Sequence, residues 1–375
     1  MHKPVVICGF KRSPMHFANK GALAKVRPDD MATEVVKALI KDTGVKAEDI
    51  EDLLMGCAFP EAEQGFNIAK LVVQHAELPV SVAGATVNRF CGSSMTTIHM
   101  AAGAIQMGAG DAFVAAGVES MTRIPMGGFN PMPNPALYEK YPQAYISMGE
   151  TAENLAKQYK ISREDQEKFA VSSHHKAAKA AEGGKFDDEI VPIGDVKTDG
   201  TIRPDSSTEK LATLKPAFLE DGTVTAATSS PLTDGSAAVL VCSEEYADKH
   251  KLPKLARIKS VSVAGCKAEI MGIGPVPAVN KALERAGLKV DDIEIWELNE
   301  AFAAQSLSVL QELGVDLDKV NIDGGAIALG HPLGTSGARI TGKAASLLQR
   351  EKAKYAVATM CIGGGQGIAT VLEAI

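Results

Sequence analysis

Three short stretches carry side chains that could do chemistry together. In Val87-Asn88-Arg89-Phe90-Cys91-Gly92-Ser93-Ser94, a cysteine follows an apolar run from Val80 and precedes helically spaced Met95, Ile98, Ala102 and Ile105. A thiol at a helix start meets unpaired N–H groups and the positive end of the helix dipole. Both lower its pKa and make it nucleophilic. The other two are Gly330-His331-Pro332-Leu333-Gly334-Thr335-Ser336-Gly337 and Cys361-Ile362-Gly363-Gly364-Gly365-Gln366-Gly367. Each sets one titratable side chain among glycines, where backbone can approach a ligand closely. A nucleophilic thiol needs a base, and a second acid/base group lets the chain take a proton from elsewhere. Taken singly, each reads equally as core: a cysteine packing as a small hydrophobe, a satisfied histidine. Three in one chain argue for a site.

The elements that must position these residues repeat along the chain. Gly44-Val45-Lys46-Ala47-Glu48-Asp49-Ile50 is echoed by Gly287-Leu288-Lys289-Val290-Asp291-Asp292-Ile293. Each follows a helical pattern (Met31, Val35, Ala38, Leu39; Val279, Ala282, Leu283) and precedes a short apolar strand. The Cys91 and His331 segments fall at nearly the same offset. Each feeds a helix and then a strand, from Ala112 and from Tyr355. Two duplicated β/α halves would bring the two helix N-termini together, with Cys91 and His331 on facing sides of one cleft.

From about Glu119 to Leu240 the chain changes character, with Pro/Gly-rich loops such as Pro131-Met132-Pro133-Asn134-Pro135. One amphipathic helix is expected there, capped by Ser162 with Asp165 three residues on and ended by Gly183-Gly184. A long loop-rich insertion on a rigid scaffold is a usual place for substrate binding, or for an oligomer contact. His174-His175 reads as solvated helix surface rather than a metal doublet, because adjacent helical residues diverge by about 100°.

Composition bounds the function class. The 375 residues are 45% hydrophobic and 23% charged, with a net charge of −7. That balance argues against nucleic acid or an acidic membrane as partner, and no run approaches the roughly 18 apolar residues of a membrane span. The six cysteines show no C-x-x-C pair, so neither zinc nor a disulfide framework is indicated. Gly272-Ile273-Gly274, followed by Pro275 and Pro277, is no dinucleotide fingerprint. Met1-His2-Lys3-Pro4 leads straight into the strand-like run Val5 to Cys8, so the expectation is a cytoplasmic chain without a leader.

The blocks Asn88 to Ser94, Asn299-Glu300-Ala301-Phe302, Gly330 to Gly334 and Cys361 to Gly365 together resemble, in order, the four signature blocks of the thiolases. The resemblance spans essentially the whole chain. It implies an α/β thiolase fold, with duplicated βαβαβαββ halves stacked as five α-β-α-β-α layers around an inserted loop domain. The boundaries expected are residues 1–118 with 223–252, then 119–222 for the loop domain, then 253–375. It assigns Cys91 as the acylated nucleophile and His331 as its base and part of the oxyanion hole for a thioester enolate. Asn299 would fix the water completing that hole, and Cys361 would shuttle the proton of the acetyl-CoA methyl carbon. The N–H groups of Cys91 and Gly364 would hold the tetrahedral oxyanion. Arg203, Ser230, Met148, Met271 and Ala226 match coenzyme A and acyl contacts. Coenzyme A would be a substrate, with no permanently bound cofactor and no metal.

Within the family, Glu63 to Ala69, Ser147-Met148-Gly149 and Thr228 resemble the degradative 3-ketoacyl-CoA branch of fatty-acid β-oxidation. Phe90 departs from the common Leu. The alternatives are a biosynthetic acetoacetyl-CoA thiolase, a ketosynthase-type condensing enzyme and a non-catalytic protein on the same fold. Cys361 argues against a ketosynthase. The family also implies a homodimer or homotetramer, with a hydratase/dehydrogenase subunit as a possible associate.

Overall fold

The computed structural model describes residues 3–375. Met1 and His2, part of the stretch read for the absence of a leader, lie outside the described residues. The first half runs β1 (Val5–Arg12), a two-residue β2 (His16–Phe17), α1 (Pro28–Thr43), β3 (Asp52–Gly56), α2 (Ile68–His75), β4 (Ala83–Val87), α3 (Ser93–Met107) and β5 (Ala112–Ser120). The intervening segment carries α4 (Pro135–Lys140), α5 (Met148–Tyr159), α6 (Arg163–Glu182) and α7 (Thr208–Ala212). Then come β6 (Thr233–Ser243) and α8 (Glu244–His250). The second half is β7 (Ala256–Gly265), α9 (Pro275–Ala286), β8 (Ile295–Leu298), α10 (Ala303–Leu313), α11 (Ala326–Leu329), α12 (Leu333–Glu351), β9 (Tyr355–Ile362) and β10 (Gln366–Glu373).

The repeat legible in the sequence is physical. Helix α1 starts on Pro28 with Asp29 and Asp30 in its first turn, where they favour the dipole, and stops at Gly44 with φ +71°. Helix α9 starts on Pro275 and stops at Gly287 with φ +68°. Only glycine adopts that left-handed cap cheaply. Each cap leads through a short 3-10 turn into a strand whose neighbour is parallel, β3 beside β5 and β8 beside β9. The strand matching β4 in the second half shrinks to a single parallel bridge, Trp296 to Val320.

The strand order is β4-β3-β5-β6-β1-β7-β10-β9-β8, with the halves joined through Val6–Arg257 and Ile7–Ala256 of β1 and β7. Alternate side chains face opposite layers, as the pleat demands. Val5 and Ile7 pack inward with α3 and α12, whereas Val6 and Cys8 pack outward with α1 and α2. In the second half Ile368 and Leu372 face the same inner helices, whereas Ala369 and Val371 face α9 and α10. The layers are therefore α1/α2, sheet, α3/α12, sheet, α9/α10. Being covered on both sides explains why α12 buries even Thr335, Arg339, Thr341 and Lys343.

Two details differ from expectation. β5 runs to Ser120, two residues past the boundary expected at 118. The insertion holds two long helices rather than one. The signal for the missed α5 is an N-cap serine with a glutamate three residues on: the Ser147 hydroxyl accepts from Glu150 N–H and donates to the Glu150 carboxylate at 2.6 Å. No described helix is long and apolar enough to cross a membrane.

Candidate active site

Cys91 lies in a tight turn, Phe90–Gly92, that runs straight into α3. The residue before it is strained: Phe90 has φ +45°, a left-handed conformation costly for a bulky side chain. Local hydrogen bonds hold the bend. Asn88 Oδ1 accepts from Phe90 N–H at 2.9 Å, and the Ser93 hydroxyl accepts from Arg89 N–H at 2.9 Å. Gly92 rests on the end of β9, where an added Cβ would come within 2.5 Å of Ile362 Cδ1. That contact brings Cys361 beside Cys91 and aims the Gly363 N–H at the Cys91 sulfur.

His331 follows Gly330, which takes φ +98° between α11 and α12. Its Nδ1 lies 2.5 Å from Ser336 Oγ, and that hydroxyl donates its proton to Pro332 O at 3.0 Å. With that hydrogen committed, the network assigns the imidazole proton to Nδ1 and leaves a lone pair on Nε2. Asn299, just past β8, donates from Nδ2 to Nε2 at 3.3 Å. Its Oδ1 is buried without a partner among the described residues, a polar atom free for a further ligand.

The starts of α3 and α12 cross at close range. Ala338 N–H donates to Ser94 Oγ at 2.8 Å, and a Cβ on Gly337 would come within 2.3 Å of Met95 N. A Cβ on Gly117 would meet Gly334 O at 2.2 Å. These bare backbones bring the Cys91 turn and the His331 loop to one end of the molecule. A buried carboxylate, which sequence reasoning missed, completes the crossing. Glu119 accepts from Ala58 N–H at 2.7 Å, and from Gln64 Nε2 and Gly334 N–H at 2.8 Å each. It clamps the first half onto the start of α12. No local motif announces such a role.

The electrostatics reverse one expectation. Burial pushes the Cys91 thiol up to about 11, and Glu119 adds to it, while N–H groups of Gly363 and Cys91 itself pull the other way. Desolvation thus outweighs the helix dipole, and the nucleophile rests as a neutral thiol. Burial, then the charge of Arg339, lowers His331 to about 3. Cys361 is raised well above the ordinary thiol range by burial, then by Cys91 and Cys266. Thiol, imidazole and second thiol are all uncharged at neutral pH. Such a set moves a proton in step with bond formation rather than holding a standing ion pair.

The other expected residues fall into two places. Met148 and Met271 pack with Cys361, Ala301 and Phe302 in one apolar cluster. A Cβ on Gly363 would meet Met148 Sδ at 3.4 Å and the Phe90 ring at 3.7 Å, so both side chains flank the Cys91 approach. Arg203 and Ala226 line a separate small cleft with Phe17, His174 and Ser229. There the Arg203 guanidinium lies 5.3 Å from the centre of the Phe17 ring. Ser230 links the two places, its N–H donating to Ala301 O at 3.0 Å. Gly364 takes φ +80° and faces open space.

The surface reading of His174-His175 is half corrected. His174 is 5% exposed and its Nδ1 accepts from Arg203 N–H at 3.1 Å, while His175 faces solvent. The 100° between neighbours turns one ring inward. Among the described residues, no group of three or more His, Cys, Asp or Glu gathers as a metal site.

Residues 5–245 match the family description "Thiolase, N-terminal domain", and residues 252–374 match "Thiolase, C-terminal domain". The chain belongs to the thiolase family. This thiolase is 48% identical over 388 residues to the 3-ketoacyl-CoA thiolase of Bacillus subtilis (strain 168), covering 99% of each chain. Its structure is similar to that of human mitochondrial 3-ketoacyl-CoA thiolase in complex with CoA, with TM-score 0.92, 37% identity, and 100% and 98% of the two chains covered. It is equally similar to the Bacillus anthracis acetyl-CoA acetyltransferase, with TM-score 0.92, 40% identity, and 100% and 99% covered.

Proposed function

We propose that this thiolase is an acetyl-CoA C-acyltransferase that cleaves 3-ketoacyl-CoA with coenzyme A. The observation carrying this is the close crossing of α3 and α12, which brings the neighbouring buried thiols Cys91 and Cys361 to the same end as a histidine whose Nε2 lone pair is held by Asn299. The Cys91 proton passes to His331 as sulfur attacks the 3-keto carbon, and the N–H groups of Cys91 and Gly364 hold the tetrahedral oxyanion. The bond between C2 and C3 breaks, leaving an acyl-Cys91 thioester and the enolate of acetyl-CoA. His331 and a water on Asn299 stabilise that enolate, and Cys361 delivers a proton to its carbon. The imidazolium proton restores the Cys361 thiol. The neutral His331 then takes the proton of coenzyme A, whose sulfur accepts the acyl group as His331 returns that proton to the freed Cys91. An enolate and a tetrahedral oxyanion sit on different atoms, which is why two donor sets are needed. The steps call for no resident cofactor.

Arg203, Ala226 and Ser230 would contact coenzyme A, and Met148, Met271 and Phe90 would border the pantetheine and acyl chain. The solvent exposure of Arg203 and Ala226 suits the outer, charged end of such a ligand. Ser147 and Thr228, together with the names of the similar 3-ketoacyl-CoA thiolases, support the degradative direction in fatty-acid β-oxidation. The likeness to an acetyl-CoA acetyltransferase keeps a biosynthetic acetoacetyl-CoA reading as the second one. A homodimer or homotetramer is supported by the exposed Met126, Phe129, Met132 and Tyr138 and by the half-exposed edge strand β4. A cytoplasmic location and a hydratase/dehydrogenase associate belong to the same reading.

The test is coenzyme A-dependent thiolysis, as kcat/KM, on short, medium and long 3-ketoacyl-CoA, with Cys91→Ser alongside. Activity on medium or long chains, lost in the variant, supports the degradative reading. Activity confined to acetoacetyl-CoA moves it to the biosynthetic one and points to Phe90 as the block. No thiolysis at any length overturns both.

A further inference from the structure

A carboxyl group beside the pair Asn299 and His331 has no part in the steps above. Glu300 follows Asn299 directly, is 2% exposed, and accepts hydrogen bonds from three separate segments of the chain. Its Oε1 takes one from Asn321 Nδ2 at 2.7 Å. Its Oε2 takes one from Ser173 Oγ at 2.6 Å and one from Ile327 N–H at 3.1 Å. The carboxyl presses on bare backbone, since a Cβ on Gly325 would come within 2.1 Å of Glu300 Cδ. Burying a carboxyl this deeply is costly unless every lone pair in use finds a donor.

Each partner leads back to the site. Asn321 holds Leu298, the residue before Asn299, at both backbone groups: its Oδ1 accepts from Leu298 N–H at 3.0 Å and its Nδ2 donates to Leu298 O at 2.8 Å. The side chain thus continues, at the last residue of β8, the pairing that the single bridge of Trp296 to Val320 begins. On the other side, Asn299 N–H donates to Thr359 O of β9 at 3.0 Å. Ile327 lies in α11, which ends at Leu329, two residues before His331. Ser173 belongs to α6 of the insertion, and its hydroxyl also accepts from Gly325 N–H at 3.1 Å.

The same bonds dictate the side chain needed at position 300. The Asn321 amide cannot turn over, because Leu298 fixes which end donates, so its second Nδ2 hydrogen faces Glu300. Ile327 N–H can only donate, and the one Ser173 hydroxyl hydrogen also points at Glu300. A carboxylate, acceptor at both oxygens, satisfies all three. An amide in either orientation sets its NH2 against a backbone or side-chain N–H. Burial raises Glu300 above its ordinary value, and these donors pull it back.

We propose that Glu300 is a positioning residue for Asn299 and His331: its carboxylate locks the end of β8 to the short helix that leads into His331, and Ser173 ties the insertion into the same lock. The 3.3 Å contact of amide and imidazole is then set by the scaffold. This rests on the reading of Asn299 and His331 as parts of the thiolysis site.

The experiment is a double-mutant cycle on thiolysis in the full chain: wild type, Glu300→Gln, Asn299→Ala and the double variant, each corrected for its folded fraction by thermal melting. Glu300→Gln lowers kcat by more than about tenfold and leaves KM within about threefold. In the Asn299→Ala background the same change costs less than about a third of that factor, because the contact it positions is already gone. Equal factors in the two backgrounds mean a merely structural residue and overturn the proposal. So does a smaller kcat loss in Glu300→Gln, or a loss carried by KM. Should Glu300→Gln fail to fold, Ser173→Ala takes its place in the cycle, with a kcat loss above about threefold that vanishes beside Asn299→Ala. Ser173→Ala removes one of the three bonds without setting two donors face to face. A crystal structure of the variant reads the geometry without turnover: the Asn299 Nδ2 to His331 Nε2 contact opens beyond hydrogen-bond range, and a contact of wild-type length overturns the proposal. Wild type without thiolysis would refute the assigned function and leave that distance standing.

Discussion

Asn299 Nδ2 meets His331 Nε2 at 3.3 Å, and the two come from opposite kinds of backbone, the end of a strand and the start of a helix. The bond orients the lone pair of the base, and the free Oδ1 of the same amide is left for the ligand that completes an oxyanion hole. Asn299→Ala should therefore lower kcat for thiolysis by roughly a hundredfold with a much smaller change in KM, since the water its Oδ1 would hold donates to charge that develops only in the transition state. Steady-state kinetics of the purified variant check this. An unchanged kcat removes Asn299 from the mechanism.

The neutral thiol at Cys91 makes a prediction about alkylation. With its value pushed up to about 11, the thiolate fraction climbs about tenfold per pH unit through the neutral range. Inactivation by iodoacetamide should follow, with log rate rising at a slope near one and no plateau around neutrality. A plateau beginning below about pH 7 would reveal a standing thiolate–imidazolium pair and refute the neutral resting state.

Buried neutral histidines set the acid limit of stability. His174 is lowered from 6.5 to about 4 and His331 to about 3, each by burial first. The unfolded chain binds their protons more readily than the folded one. Each contribution is thus fully present above pH 6.5 and is lost as pH falls toward the folded value. At pH 5 each costs about 2 kcal/mol. Urea unfolding between pH 7 and pH 5 should show the fall, with a shallower slope in His174→Gln. Parallel slopes in the two proteins would remove His174 from the account.

Gly337→Ala tests the helix crossing. The new methyl would sit 2.3 Å from Met95 N, and backbone cannot swing aside as a flexible side chain can. A loss of about 1–3 kcal/mol is expected, with activity falling further than stability because the Cys91 turn and the His331 loop are pushed apart. Thermal melting and thiolysis on one preparation separate the two effects.

How far the chain could be read before folding depended on whether a signal was local. The repeat was legible at Gly44 and Gly287 because a left-handed helix cap leaves a residue-type imprint, and α6 was legible from Ser162, Asp165 and Gly183. The Cys91, His331 and Cys361 segments stood out through their glycines. Three things were hidden. Cys91's acidity depended on burial, which competes with the helix dipole and wins only once two sheets enclose it. His174 turned inward because of what packs against α6. Glu119 acts across the halves, through contacts between residues that no local pattern connects.

The strand order carries a consequence for biosynthesis. β1 is made first, yet its neighbours β6 and β7 begin only at Thr233 and Ala256. At the usual pace of translation, an apolar strand waits on the order of ten seconds or more for a partner on either edge. Over that interval Val5, Val6, Ile7 and Cys8 are open to wrong pairings and to holding chaperones. Yield of this protein from a fast expression host should accordingly improve when elongation is slowed by cooling or when such a chaperone is co-produced.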